Sequence, residues 1–382
     1  EDMFNIGSTW NILTTQAFNL SGGWPKGDQA GSVMAMACMG DSKKYENHLK
    51  NINFCHHSYW NNSKANSFSQ LIEAASKGEK EQFNVAAALQ SATEELVFAI
   101  IDKYLKKTKK RNICLAGGVA LNSVMVGKLH DVFKTRIDNV YVCPVPYDAG
   151  LPIGSCQYVW HHILEKDRIN WSDNATPYLG IQYEEKDVHS CLSRYDNLLE
   201  VKKDFTTREM CELLSAGKII SLFSGRSESG RRALGNRSIL ADPRNPDMKD
   251  IINKKVKHRQ WYRPFAPSIL KEHVAEWFEH DIDSPYMTTV LKFKKTHADK
   301  VPAVNHFDNS ARLQTVTEKD NKVYYNLIKT WYEVSGVPII LNTSFNDREP
   351  IVETPEDAVK CFLNTDIDNL YFPEYGILVS KK

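Results

Sequence analysis

The segment from Phe223 to Ser268, FSGRSESGRRALGNRSILADPRNPDMKDIINKKVKHRQWYRPFAPS, constrains this chain more than any other stretch. A glycine-rich loop at Gly225–Gly235 leads into arginines and lysines interleaved with Leu234, Ile239, Leu240, Ile251, Ile252, Trp261, Tyr262 and Phe265. An Arg-Pro-Phe-Ala-Pro turn closes it. A solvated surface run does not alternate its cations with so many large apolar side chains. The pattern calls for elements with one buried face, from which several cations point inward at one anion. Arginine meets phosphate or carboxylate oxygens through a planar fork, and lysine meets them as a compact charge. The expectation is a pocket for a small, highly charged, phosphorylated ligand. Ordinary surface charge and a groove tracking nucleic acid are the alternatives.

The overall charge bears on that choice. The chain has 48 Lys+Arg against 47 Asp+Glu, a net charge of +1, so the basic excess is local. Proteins that grip nucleic acid over many phosphates usually carry a basic domain. A compact anion pocket is therefore the favoured reading. No apolar run approaches the ~20 residues that span a bilayer, and none of the eight cysteines forms a C-x-x-C pair. Several lie in apolar segments such as NICLAGG and VYVCPV, where a free thiol behaves as a small hydrophobe. A reducing, cytoplasmic setting is expected.

At 382 residues there is room for two or three domains. The polar stretch Glu165–Thr176 is the candidate linker, dividing the chain into 1–172 and 173–382. In the first part, EQFNVAAALQSATEELVFAIIDKYLKKT from Glu81 has helical spacing, with lysines at its C-terminal end. RNICLAGG then reads as a short strand ending at Gly117-Gly118, and VALNSVMVGKLHDVF as a helix. That order lets backbone N–H groups approach a phosphate, although glycine is also needed in such turns for steric reasons. The order recurs as the strand DNVYVCPVPY, the turn DAGLPIGS and the helix CQYVWHHILEK. Asp148 thus follows a strand's C-terminal end, where α/β folds place their chemistry. It is read either as a metal or ribose ligand or as a helix cap. His56-His57 and His161-His162 are read as packing or surface residues.

Six segments, taken in order, resemble the O-carbamoyltransferases that act on antibiotics, Nod factors and related hydroxylated compounds. They are CLAGGVALN (114–122), PVPYDAGLPIGS (144–155), GRSESGRRALGNRSILADPR (225–244), IINKKVKHRQWYRPFAPSIL (251–270), HFDNSARLQTV (306–316) and LNTSFNDREPIVETPEDAVKCF (341–362). The resemblance implies an α/β chain, α+β in its C-terminal part. The second lobe of an actin-like ATPase (ASKHA) domain would be followed by a YrdC-like domain. It implies ATP-dependent transfer of the carbamoyl group of carbamoyl phosphate, through carbamoyl adenylate, to a hydroxyl acceptor. That acceptor is a sugar, an antibiotic-like molecule or a hydroxymethylated nucleobase, and nucleic acid enters only in this last role.

Residue by residue, the resemblance assigns carbamoyl phosphate to Lys257, Arg263 and Arg312, which also carry the catalytic role, together with Asn342 and Ser344. Asn342 and Ser344 read equally as a turn after the apolar run VPIIL. Nucleotide falls to Gly117, Gly118, Asn122, Arg232, Asn236 and Arg237, and a divalent metal, Mg2+ or Fe2+, to Asp148. The family's metal-binding histidines lie in a first ASKHA lobe preceding a segment like AGSVMAMACMGD (31–42). A second polypeptide is expected to supply that lobe and most metal ligands, against an apolar face including Val33, Met34 and Met36. One departure is Gly230-Arg231-Arg232, where the family commonly has Gly-Pro-Arg. Lys254, Lys255, Arg231 and Arg259 keep the nucleic-acid acceptor open. The competing functions are a tRNA threonylcarbamoylation-type enzyme and a non-catalytic subunit that binds a carbamoylated nucleotide.

Overall fold

The computed structural model describes residues 5–20, 29–52, 54, 62–168 and 177–382. His56-His57 and most of the candidate linker lie outside these. The chain divides into two compact units, Glu1–Val142 and Cys143–Lys382. No helix among the described residues is long and apolar enough to cross a membrane, and the seven described cysteines are free.

The first unit is mainly helical: α1 (Ile6–Ile12), α2 (Ala30–Ala37), α3 (Glu46–Ile52), α4 (Asn62–Ser76), α5 (Glu79–Thr108) and α6 (Ser123–Phe133). Helix α5 is the long segment read from its periodicity. Glu79 and Glu81 occupy its first turn and Lys106 and Lys107 its last, each suited to the helix dipole. Its small-residue stretch Val85–Leu89 is buried, which lets α2 and α4 pack closely on it. Strands β1 (Asn112–Leu115) and β2 (Asn139–Val142) pair in parallel with Ile113 opposite Val140. Beneath them lie Ile101, Leu129, Phe133 and Ile137. Val33 and Met36, expected on a face for a second polypeptide, are instead 0% and 1% exposed inside this unit. Met34 is half-buried, so most but not all of the apolar stripe of α2 is covered by its own chain.

The second unit opens with α7 (Leu151–Tyr158), which runs on as one further wide turn through Val159–Ile163. The expected turn DAGLPIGS is therefore mostly helix. Only Asp148–Gly150 is a tight turn, and Pro152 sits in the first helical turn, where its missing N–H costs nothing. This helix exposes Leu151, Tyr158, Trp160 and Ile163.

The remaining helices are α8 (Glu185–Ser193), α9 (Thr207–Ser215), α10 (Met248–Lys255), α11 (Val274–Trp277), α12 (Lys322–Ser335) and α13 (Pro355–Asn364). The strands are β3 (Leu199–Lys202), β4 (Ile220–Phe223), β5 (Arg237–Ala241), β6 (Ala266–Leu270), β7 (Thr289–Lys292), β8 (Ser310–Val316), β9 (Ile339–Ser344), β10 (Asn369–Phe372) and β11 (Ile377–Lys381). They form one nine-stranded mixed sheet in the order β3-β11-β10-β4-β5-β9-β6-β8-β7. Central strands β4, β5 and β6 are buried along their whole length, so they read as continuous apolar runs rather than alternating ones. Asn342 and Ser344 lie within β9 rather than in a turn after it, because β5 and β6 hydrogen-bond that strand on both sides.

Candidate anion-binding site

Pairing register sets the floor of the site. Asn342 on β9 lies opposite Leu240 of β5 and Ala266 of β6, and Ser344 opposite Ser238. Strand β8 joins β6 with Gln314 opposite Ser268. Asn342, Ser268 and Gln314 share one sheet face, where Asn342 Nδ2 donates to Ser268 Oγ at 3.1 Å and to Gln314 Oε1 at 3.0 Å. Arg312, two residues before Gln314, points to the same side.

Over this floor lies the glycine-rich loop. Asn342 Nδ2 also donates to Ala233 O, and Gln314 Nε2 to Leu234 O. Gly235 has φ +111°, and a Cβ there would meet the Tyr324 ring at 2.3 Å, so only glycine lets the loop come this close. A residue without an assigned role organises the loop. Glu228, 9% exposed, accepts through Oε1 from the N–H groups of Leu234 (2.7 Å), Asn236 (2.8 Å) and Arg237 (3.3 Å). Its Oε2 is buried without a partner, and burial raises its pKa against the lowering pull of those N–H bonds.

The cations converge here. Burial, followed by the fields of Arg232, Arg259 and Arg263, drives the pKa of Arg312 well down. Arg232 is pushed down to about 10, by burial and then by Arg231 and Arg263. Arg259 is lowered by burial and by Arg263. Among the described residues none of Arg232, Arg259, Arg263 and Arg312 forms a salt bridge, and the buried Nε of Arg312 has no hydrogen-bond partner. Four guanidiniums here repel one another without a carboxylate between them, an arrangement whose repulsion a bound anion would relieve. Arg259 joins the cluster rather than an outer surface. Its Nε donates to Asn253 Oδ1 at 2.7 Å and its guanidinium stacks over Phe265.

Lys257 closes the Ser344 end. Its Nζ has Ser344 O at 2.7 Å, Ser344 Oγ at 3.2 Å, Asn346 O at 2.6 Å and Asn346 Oδ1 at 2.8 Å. Burial and then Arg259 press its pKa well down. Four oxygens nevertheless exceed what a neutral amine's two hydrogens can serve, so the geometry favours ammonium. Lys257 pins the end of β9 beside the cluster.

Not every residue assigned from the sequence faces this space. Arg237 is 0% exposed and donates to the carbonyls of Ser224 (2.6 Å), Asn236 (3.1 Å), Gly225 (3.2 Å) and Glu353 (3.4 Å). Asn236 donates to Arg226 O and accepts from Asn321. Both hold the loop together, and of the loop residues assigned to nucleotide only Arg232 enters the cluster. Arg231 turns outward onto the Tyr147 ring, 4.9 Å from its centroid.

In the first unit, Gly117 (φ +91°) and Gly118 do form the strand-to-helix turn between β1 and α6. Asn122 caps α6 by accepting from Met125 N, and pairs amide to amide with Gln90 at 2.9 and 3.1 Å. Asp148 is exposed. Among the described residues no group of three or more His, Cys, Asp or Glu side chains could hold a metal, so these residues do not by themselves fit a divalent ion.

Comparison with known proteins gives two family matches. The carbamoyltransferase N-terminus model matches residues 17–156 and the carbamoyltransferase C-terminus model residues 211–379. Nodulation protein NolO of Bradyrhizobium diazoefficiens is 38% identical over 298 residues, covering 75% of this chain and 53% of that protein. An uncharacterized protein of Synechocystis sp. is 35% identical over 322 residues, covering 77% and 52%. Nodulation protein U of Sinorhizobium fredii is 34% identical over 238 residues, covering 62% and 40%. The chain thus spans about half the length of the curated relatives it matches. The solved structure of full-length HypF in its phosphate- and nucleotide-bound form aligns at a TM-score of 0.28 with 16% identity, over 46% of this chain and 24% of that one, too little to bear on the fold.

Proposed function

Because the chain belongs to the carbamoyltransferase family, we propose that it works in ATP-dependent O-carbamoyl transfer, with the arginine cluster of its C-terminal unit as the seat of carbamoyl phosphate. The observation that carries this reading is the set of four arginines without a carboxylate, over a floor bearing an unpartnered acceptor. Asn342 Oδ1 is buried and makes no hydrogen bond. Carbamoyl phosphate has both features such a site requires, a dianionic phosphate for the guanidiniums and an amide N–H for Asn342 Oδ1. Free phosphate or a nucleic-acid backbone has no N–H to offer.

ATP is the second substrate in this reading. Arg263 and Arg312 hold the phosphate, and Arg232 and Arg259 face the incoming nucleotide. Water splits carbamoyl phosphate into carbamate and inorganic phosphate. A carbamate oxygen attacks the α-phosphate of ATP and expels pyrophosphate, and a hydroxyl compound then takes the carbamoyl group and releases AMP. The domain assignment that goes with it is an ASKHA-type lobe over residues 1–172 and a YrdC-like domain over 173–382, with Gly117-Gly118 presenting backbone N–H groups to nucleotide. A second polypeptide, contributing metal ligands alongside Asp148, would dock on the exposed Leu151, Tyr158, Trp160 and Ile163 of α7 rather than on α2.

The test is pyrophosphate release from ATP by the 382-residue chain. It is expected only when carbamoyl phosphate is also present, and to fall by about 100-fold or more in Arg263→Met, as for loss of a charge-assisted donor to a developing anion. Pyrophosphate release that ignores carbamoyl phosphate, or survives that substitution, would refute it.

A further inference from the structure

We propose that His306 is the residue that selects carbamoyl phosphate over other acyl phosphates, its Nε2 accepting one of the two amide N–H groups. The proposal rests on the carbamoyl-phosphate reading of the cluster and adds a contact that the family resemblance does not assign.

The starting point is a chain of hydrogen bonds that fixes the imidazole tautomer. Ser310 has a single hydroxyl proton. It donates to Asp308 Oδ1 at 2.6 Å, while Lys292 Nζ holds the other carboxylate oxygen at 2.7 Å. Ser310 Oγ also lies 3.3 Å from His306 Nδ1. With its proton on the short bond to Asp308, Oγ can only accept from Nδ1, so Nδ1 carries the ring's hydrogen. Nε2 is left with a lone pair. That nitrogen is buried and has no hydrogen-bond partner. Burial brings the ring's pKa down to about 4 against the opposing pull of Asp308, with Arg312 adding to the decrease. The lone pair is therefore available at neutral pH. The Phe265 carbonyl lies close enough to favour a protonated ring, yet it makes no hydrogen bond with Nε2.

Position ties this atom to the cluster. His306 precedes β8 by four residues, and Ser310, against which its ring rests, lies on the same face of that strand as Arg312, two residues further on. The chemistry of the cluster supplies the role. Guanidinium and ammonium groups donate and never accept. A site made of them alone grips the phosphate of any acyl phosphate equally well. A carbamoyl group differs from an acetyl group of the same shape by its NH2, whose two hydrogens diverge and call for two acceptors. Asn342 Oδ1 is one unpartnered buried acceptor, and His306 Nε2 is another. A methyl group in place of NH2 would leave both unpaired, which is how a polar site rejects an analogue lacking the matching donor.

The experiment is calorimetric titration of the full chain, kept cold to preserve the ligand, with carbamoyl phosphate, acetyl phosphate and inorganic phosphate as separate probes. The wild type should prefer carbamoyl over acetyl phosphate. His306→Leu should lower that ratio by roughly tenfold or more while inorganic phosphate binds within twofold of wild type. His306→Gln, which restores an acceptor at the right reach, should recover part of it. Ser310→Ala unties the tautomer without touching the ligand and should lower the ratio severalfold, giving a second reading if the leucine variant does not fold. An unchanged ratio in His306→Leu or in Ser310→Ala, with phosphate binding intact, overturns the assignment of His306 alone. Failure of inorganic phosphate to bind, or equal binding to Arg312→Met, overturns the reading of the cluster and takes the His306 proposal with it.

Discussion

Replacing Arg312 by methionine should make the ligand-free protein more stable. Methionine keeps an unbranched apolar stem, so the packing of the arginine's methylenes is largely retained. What disappears is a charge facing Arg232, Arg259 and Arg263, together with a buried Nε that has no partner. Two unit charges about 8 Å apart repel by roughly 2 kcal/mol at an effective dielectric of 20, and physiological salt screens much of that. An unpaired buried donor adds a cost of about 1–3 kcal/mol. After loss of the guanidinium's own contacts, a net gain of about 1–2 kcal/mol is expected. The cluster lies in the unit spanning Cys143–Lys382, a size at which that gain corresponds to roughly 2–8 °C in melting temperature. Thermal denaturation in phosphate-free buffer reads it directly. Adding phosphate should then reverse the order. The wild type gains about 2.7 kcal/mol at a hundredfold excess over its Kd, and the variant gains almost nothing. A variant that melts below wild type without anion, or that keeps the phosphate-induced shift, would refute a self-repelling cluster awaiting an anion.

Other outcomes follow from the same geometry. Lys257→Ala leaves four oxygens around an empty site and should cost about 2–4 kcal/mol in urea denaturation, so its effect on activity will not be separable from its effect on the fold. Arg237→Lys removes most of four donated bonds to carbonyls and should destabilise by about 3 kcal/mol, with Arg232→Met much milder in the same assay. The folded-state pKa of Glu228 is raised by burial. Its protonated form is therefore favoured in the native state, so its contribution is present below about pH 4.5 and is lost as pH rises through the higher folded value. Stability measured against pH should fall across that window in wild type and flatten in Glu228→Gln.

Much of this was legible in the sequence, for identifiable reasons. The long helix α5 and the β1-turn-α6 unit rest on local spacing and on residues a few positions apart. Grouping Arg263, Arg312, Asn342 and Ser344 rests on motif resemblance, since Arg312 and Asn342 lie on strands that meet only through sheet order. What spacing could not reveal is which polar groups are already committed. Arg237 reaches Glu353, Asn236 reaches Asn321 and Lys257 reaches Asn346, partners far away in the chain. Arg232 and Arg237 look alike in the segment GRRALGNR, yet one enters the cluster and the other braces the loop. Val33 and Met36 misled for a related reason, because an apolar stripe does not announce which helix covers it. Glu228 and His306 sat in quoted motifs without a role. Their significance lies in single unpaired atoms, which only three-dimensional bonding exposes.

The central claim is that the arginine cluster seats carbamoyl phosphate, and a crystal structure of the full chain grown with that ligand tests it most directly. The account predicts the phosphate within hydrogen-bond distance of the Arg263 and Arg312 guanidiniums, with the amide nitrogen against Asn342 Oδ1. Carbamoyl phosphate bound elsewhere while the cluster stays empty, or seated in the cluster with its amide turned away from Asn342, would contradict it.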